Sequence, residues 1–171
     1  MKYKEFFEYS DETSKSKWTK LVFGRHEGQT LPQIMFTDPG WFFWAHMNKT
    51  FKGKMANEAH LIYARSTNIR IPQPPNEEWI AEYAFDLKSG KLCDVTLVPK
   101  DHPNFVRSRF TMRKPVLDMG IPFAVSGYDK LGNKILVDAI RGYVVGREVR
   151  KMTKERCEAF FDDLTNFVAA D

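Results

Sequence analysis

Hydrophobic and polar positions change their rhythm once along the chain, at RIPQPPNEE. Pro72, Pro74 and Pro75 lack amide donors and hold the backbone extended, as they do for the residue before each. A boundary between residues 1–72 and 73–171 is therefore expected. Before it, WTKLVF reads as a short strand and GRHEGQ as its turn, and TLPQI either pairs back or begins a helical turn. DPGWFFWAHMNKTF predicts a helix, with Asp38 as N-cap and Pro39 in the first helical position, where its missing N–H costs nothing. A second helix is expected over MANEAHLIYARS, where Leu61 and Ala64, and Ile62 and Arg65, recur at three-residue spacing.

Beyond the prolines the pattern favours strands. EWIAEYAFDL and KLCDVTLVP flank the turn KSG, a hairpin signal. IPFAVSGYDKLGNKILVDAI predicts a second hairpin turning at KLGN, with Gly132 and Asn133 supplying the turn, and GYVVGREV predicts a further strand. The last element is helical: Thr153 caps KERCEAFFDDLTNFVAA, whose Cys157, Phe160, Phe161, Leu164 and Phe167 or Val168 form an apolar stripe. The expected fold class is α+β, a small hairpin-plus-helices N-terminal part packed on a curled antiparallel sheet with a C-terminal helix.

The WFFW run poses a packing problem. At roughly 100° per residue its four rings spread around nearly the whole helix, so one core face cannot absorb them all. Either the helix is sandwiched, or one or two rings stay exposed as a binding surface. Trp41, Phe42 and Trp44 are the candidate anchors for a protein partner.

Composition narrows the classes. The chain of 171 residues is 43% hydrophobic and 28% charged, which excludes disorder and supports a real core. The net charge of +4 suits an anionic partner. Its distribution is uneven, with 11 Lys and Arg against 7 Asp and Glu through residue 72, and 15 against 15 afterwards. Cys93 and Cys157 show no CxxC spacing, so reduced, buried thiols are expected rather than a disulfide framework or zinc ribbon. No signal-peptide core or membrane-length apolar run occurs, and a cytoplasmic location, the host cytoplasm for a phage product, is expected.

Several motifs that would carry chemistry fall short. The histidines at 26, 46, 60 and 102 lack the spacing of a zinc helix, and no metal or cofactor is expected. GYDKLGNK places its Lys one position late for a phosphate loop, and no Ser or Thr follows. Asp86 and Asp94, and Asp162 and Asp163, form no evident two-metal site, and no nucleophile is marked. KDHPNFVRSRFTMRK is more suggestive. It holds five basic residues against one acid, interleaved with Phe105 and Phe110, a mixture suited to phosphates and stacked bases. The same alternation suits an exposed sheet edge whose cations deter aggregation.

LVFGRHEGQTLPQI followed by DPGWFFWAH resembles the small C-terminal domain of exodeoxyribonuclease X-like proteins, through Phe23, Gly24, Arg25, His26, Gly28, Leu31, Ile34, Trp41 and Trp44 in order. The resemblance covers roughly residues 19–65 and implies an accessory role in DNA metabolism without the catalytic exonuclease domain. Glu27 and Gln29 stand where the family often has Lys, which makes the turn less cationic. Residues 73–171 lie outside the resemblance, and such an extension suits a phage or mobile-element protein. The leading expectation is a non-enzymatic DNA-associated protein contacting single- or double-stranded DNA through Arg25, His26, Lys52, Lys54, Arg107, Arg109, Arg113 and Lys114. A module that inhibits or redirects a host protein is the alternative, and a metal-dependent nuclease a third.

Overall fold

The computed structural model describes residues 17–103 and 109–169, and within them the fold is α+β. Leu21 N–H donates to Gln29 O and Gly28 N–H to Leu21 O, closing the turn predicted at GRHEGQ. Gly24 and Gly28 have φ of 70° and 84°, the left-handed region that glycine enters without penalty. The expected strand at WTKLVF shrinks to a single bridge between Lys20 and Thr30. Thr30 then caps α1 (Leu31–Thr37) instead of extending the ladder, its backbone N–H donating to Gln33 Oε1.

Helices α2 (Pro39–Met47) and α3 (Gly53–Ser66) follow the prediction closely. In α2, Phe42 and Phe43 are buried, Trp41 is half-buried and Trp44 is 47% exposed, so both outcomes foreseen for the four rings occur in one helix. Phe42 stacks on Phe51 with centroids 5.9 Å apart, while Phe43 meets Phe123 at 6.5 Å. The helix is thus held from several sides.

The sheet has the order β2-β1-β3 and is antiparallel throughout, with β1 at Trp79–Asp86, β2 at Leu92–Pro99 and β3 at Arg109–Lys114. Tyr83 of the central strand is fully buried and its hydroxyl donates to Asp118 O at 2.9 Å. Two sequence expectations fail in the next segment. In place of a hairpin at KLGN, the chain forms α4 (Ile121–Ser126) and α5 (Lys130–Ile140). Asp129 caps α5 by accepting from Gly132 N–H, and Gly132, Asn133, Leu136 and Ile140 make a buried stripe at helical spacing. Gly132 serves a close approach here rather than a hairpin turn, since a Cβ on it would run into the Asp129 carboxylate that caps the helix and lie 3.1 Å from Leu92 Cβ of β2.

GYVVGREV likewise forms no strand. Its first residues make a π-helical turn, Arg141–Val145, and Arg141 Nη1 donates to Val149 O at 2.5 Å across the following loop. Val144 and Val145 pack against the core from this turn, so their β-branched character serves burial rather than pairing. Thr153 caps α6 (Lys154–Asp162) as predicted, and Cys157, Phe160, Phe161 and Phe167 are buried. Leu164 departs from the stripe at 66% exposure, because the helix stops at Asp162 and a 3-10 turn re-aims the chain.

The buried side chains on both sides of the proline segment join one hydrophobic cluster, from Trp18, Leu31 and Phe42 to Phe85, Leu136 and Phe161. Backbone bonds reinforce it: Ile69 pairs with Leu117 and bridges to Phe167. Phe42→Ala is expected to cost about 3–5 kcal/mol in denaturant unfolding, and Trp44→Ala less than about 1 kcal/mol. Equal losses for the two would contradict the burial order described.

Candidate functional site

The Arg-His pair between two glycines has a structural target. Asp38 caps α2 through Oδ1, which accepts from Trp41 N–H at 3.3 Å and from Asn133 Nδ2 of α5 at 3.4 Å. Its Oδ2 receives Arg25 Nη2 at 2.5 Å and His26 Nε2 at 2.9 Å. Asp38 and His26 are each 7% exposed, so one carboxylate, shielded from water, collects four donors from three parts of the chain. Aromatic rings complete the cluster: Trp41 meets His26 edge-on at 4.9 Å, and the Arg25 guanidinium lies 5.2 Å from the Tyr128 ring centroid. Gly40 is required here, because a Cβ would come within 2.7 Å of the Asn133 amide. His26 therefore points inward, and Arg25 is half-occupied by its internal partners.

Another set of basic groups collects where α2 and α3 meet. The connection between these helices carries Lys49, with φ of 54°, then Phe51 and Lys52. Phe51 turns into the core while both lysines remain exposed. They border a groove of about 460 Å³, walled by Phe51, Ala56 and Ala59 and closed by His46 and His60. No carboxylate lines it, and Lys49 and Lys52 make no ion pair among the described residues. A second groove of about 490 Å³ shares His46 and Met47 with the first and is lined by Tyr63, Phe123 and Lys114. Its one acid, Asp118, is neutralised by Lys114 Nζ at 2.5 Å.

His46 is the hinge between the two grooves. Its ring lies against Tyr63, with centroids 4.6 Å apart and planes 12° off parallel, and stacks on Phe42 behind it. Its Nε2 is 3.4 Å from His60 Nδ1. Partial burial, and then the charge of His60, lower its pKa from the ordinary 6.5, so the ring favours its neutral form at physiological pH.

The remaining predicted contacts are spread out. Lys54 is exposed, donating to Lys17 O at 3.3 Å and lying 3.5 Å from Glu58. Arg113 is largely committed to the sheet: Nε meets Glu82 at 2.6 Å and Nη1 donates to His102 O at 2.7 Å. Arg109 is exposed at the start of β3, opposite Asp86 in the ladder, and Arg107 and Phe105 lie outside the described residues. Of the predicted set, the structure brings Lys52 and Lys114 onto adjoining grooves and adds Lys49, His46 and His60, which sequence reasoning missed. The spacing of Ala56, Ala59, His60 and Tyr63 along α3 was the available signal, since it places small and ring side chains on one helix face. Among the described residues no three His, Cys, Asp or Glu side chains are grouped to hold a metal ion, and no helix is long and apolar enough to cross a membrane. Cys157 is buried, and desolvation, then the charge of Glu158, pushes its thiol up to about 12, which disfavours the thiolate at neutral pH.

Replacing Asp38 with Ala is expected to cost about 2–4 kcal/mol in chemical unfolding, through the lost cap and the donors left unpaired. Asp38→Asn, which keeps an acceptor for the helix, should cost less; an unchanged midpoint for Asp38→Ala would contradict the role given to the cluster. For His46, the depressed folded-state pKa means stability is complete above the unfolded value near 6.5 and declines as pH falls through the folded value. A His60→Ala variant followed by NMR should raise the His46 titration midpoint, and a lowered midpoint would reject the coupling. No protein-family model, curated protein or solved structure matches this chain.

Proposed function

We propose that the protein is a nucleic-acid-associated accessory factor, of the kind its resemblance to the exodeoxyribonuclease X C-terminal domain implies and suited to a phage or mobile element. The observation that carries this reading is the pair of adjoining α2–α3 grooves. Lys49, Lys52 and His60 lie around the apolar walls of the first, which no carboxylate lines, while in the second Lys114 is paired with Asp118 beside Tyr63 and Phe123. Cations without internal partners can displace the counterions of a phosphate backbone, and ring faces nearby add attraction that does not depend on base sequence. The motif residues Gly24, Arg25, His26 and Gly28 enter indirectly, because they set the start of α2 and so the placement of His46 and Met47.

The exposure of Trp44 at 47% and of Met47 at 65% favours a second reading, in which α2 docks a host protein. Large exposed apolar side chains on one helix are typical anchors of such interfaces. Trp41 and Phe42 would contribute little directly, one being half-covered and the other enclosed.

In fluorescence anisotropy with labelled DNA at low ionic strength, binding should be detectable and should weaken steeply as salt rises. Changing Lys49 and Lys52 together to Ala should reduce affinity and flatten the dependence of log K on log salt by about one to two. DNA binding that is absent at low salt, or independent of salt, would reject the nucleic-acid reading and leave the protein-docking one.

A further inference from the structure

We infer that the first α2–α3 groove receives an unstacked base of a single strand, with the flanking phosphates on Lys49 and Lys52. This deepens the proposal of a nucleic-acid-associated protein and rests on it. The groove is not simply a basic surface. Behind the lysines is a recess of about 460 Å³ whose walls, Phe51, Ala56 and Ala59, are apolar. That volume is within the range of pockets that enclose small organic ligands.

A duplex presents its phosphates outward while its bases remain paired and stacked, and exposes only their edges in the grooves. It would meet Lys49 and Lys52 and leave the apolar recess wet. An unpaired base can leave the stack, bury its faces against the apolar walls and keep its phosphates at the rim. The adjoining groove offers the rings of Tyr63 and Phe123, with Lys114 already paired to Asp118, and the shared His46 and Met47 make the two recesses neighbours. A strand passing from one to the other would keep its phosphates on Lys49 and Lys52 and lay its next base beside the rings of Tyr63 and Phe123. His60, exposed at the edge, can donate to a phosphate or to a base edge.

An acidic peptide would satisfy the lysines too. Its carboxylates alone leave the apolar recess unfilled, whereas a nucleotide joins phosphate and planar base in one unit and satisfies both. The charge pattern and the recess together select an anionic chain that carries planar rings.

The test measures anisotropy of the full-length protein with a short labelled single strand, the same sequence as a duplex, and a polyglutamate competitor, all at low salt. The single strand should bind at least about tenfold tighter than the duplex. Ala56→Trp, which fills the recess without changing charge, should weaken single-strand binding about tenfold and leave duplex binding unchanged. Ala56→Leu provides a smaller obstruction if the Trp variant melts early, and should give a loss in the same direction. Lys49→Glu with Lys52→Glu should weaken both forms. Equal affinity for strand and duplex, with the lysine dependence retained, would overturn the single-strand inference while preserving the accessory role. Polyglutamate displacing the strand as well as unlabelled DNA does, or neither Ala56 variant affecting strand binding, would also overturn it. Absence of binding to both DNA forms would remove the accessory reading itself.

Discussion

The carboxylate of Asp38 is the constraint on which the N-terminal half depends. It begins α2, receives Arg25 and His26 from the glycine turn, and reaches Asn133 of α5 across the core. A buried carboxylate is costly unless its lone pairs are taken up, and here four donors do so. The turn, the aromatic helix and a helix from the distal part of the chain are thereby fixed to one another by a single side chain. The same grip sets the direction of α2. Phe42 and Phe43 then enter the core, while His46 and Met47 emerge beside α3 and Trp44 stays in contact with water.

This arrangement accounts for a division of labour that the basic residues did not announce. Arg25 and His26 are the most conspicuous candidates in the chain, set between glycines as if on display, yet their principal partner is internal. Arg113 is similarly engaged by Glu82 within the sheet. The cations left for an outside partner include the plainer lysines of the α2–α3 connection, where Phe51 anchors the backbone and Lys49 and Lys52 turn outward around it. A frame made from the prominent residues thus positions a groove bordered by the inconspicuous, exposed lysines.

Local signals specify an element where they have one interpretation. The Asp38-Pro39 start of α2, the hairpin joining β1 to β2 and the Thr153 cap of α6 each follow from residues adjacent in sequence, and all three form. KLGN failed because glycine and asparagine serve turns and close packing alike. Here Gly132 lies in the first turn of α5, where a Cβ would run into the capping Asp129 carboxylate and crowd Leu92 of β2. GYVVGREV failed for a related reason, since its valines are used by the core from a helical turn. The grooves were least legible of all. Their walls come from α2, α3, α4 and the end of β3, and no spacing within one segment reveals that His46 and His60 will meet.

The account holds that the grooves at the α2–α3 junction, rather than the glycine turn, are the surface that meets nucleic acid. The most direct measurement is an amide and aromatic NMR titration of the labelled protein with a single-stranded oligonucleotide. The account predicts that the first and largest shifts will fall on Lys49, Lys52, His46, His60 and Tyr63, with Arg25 and His26 little changed. Shifts centred on Arg25, Gly24 and Gly28, with the α2–α3 junction silent, would contradict it.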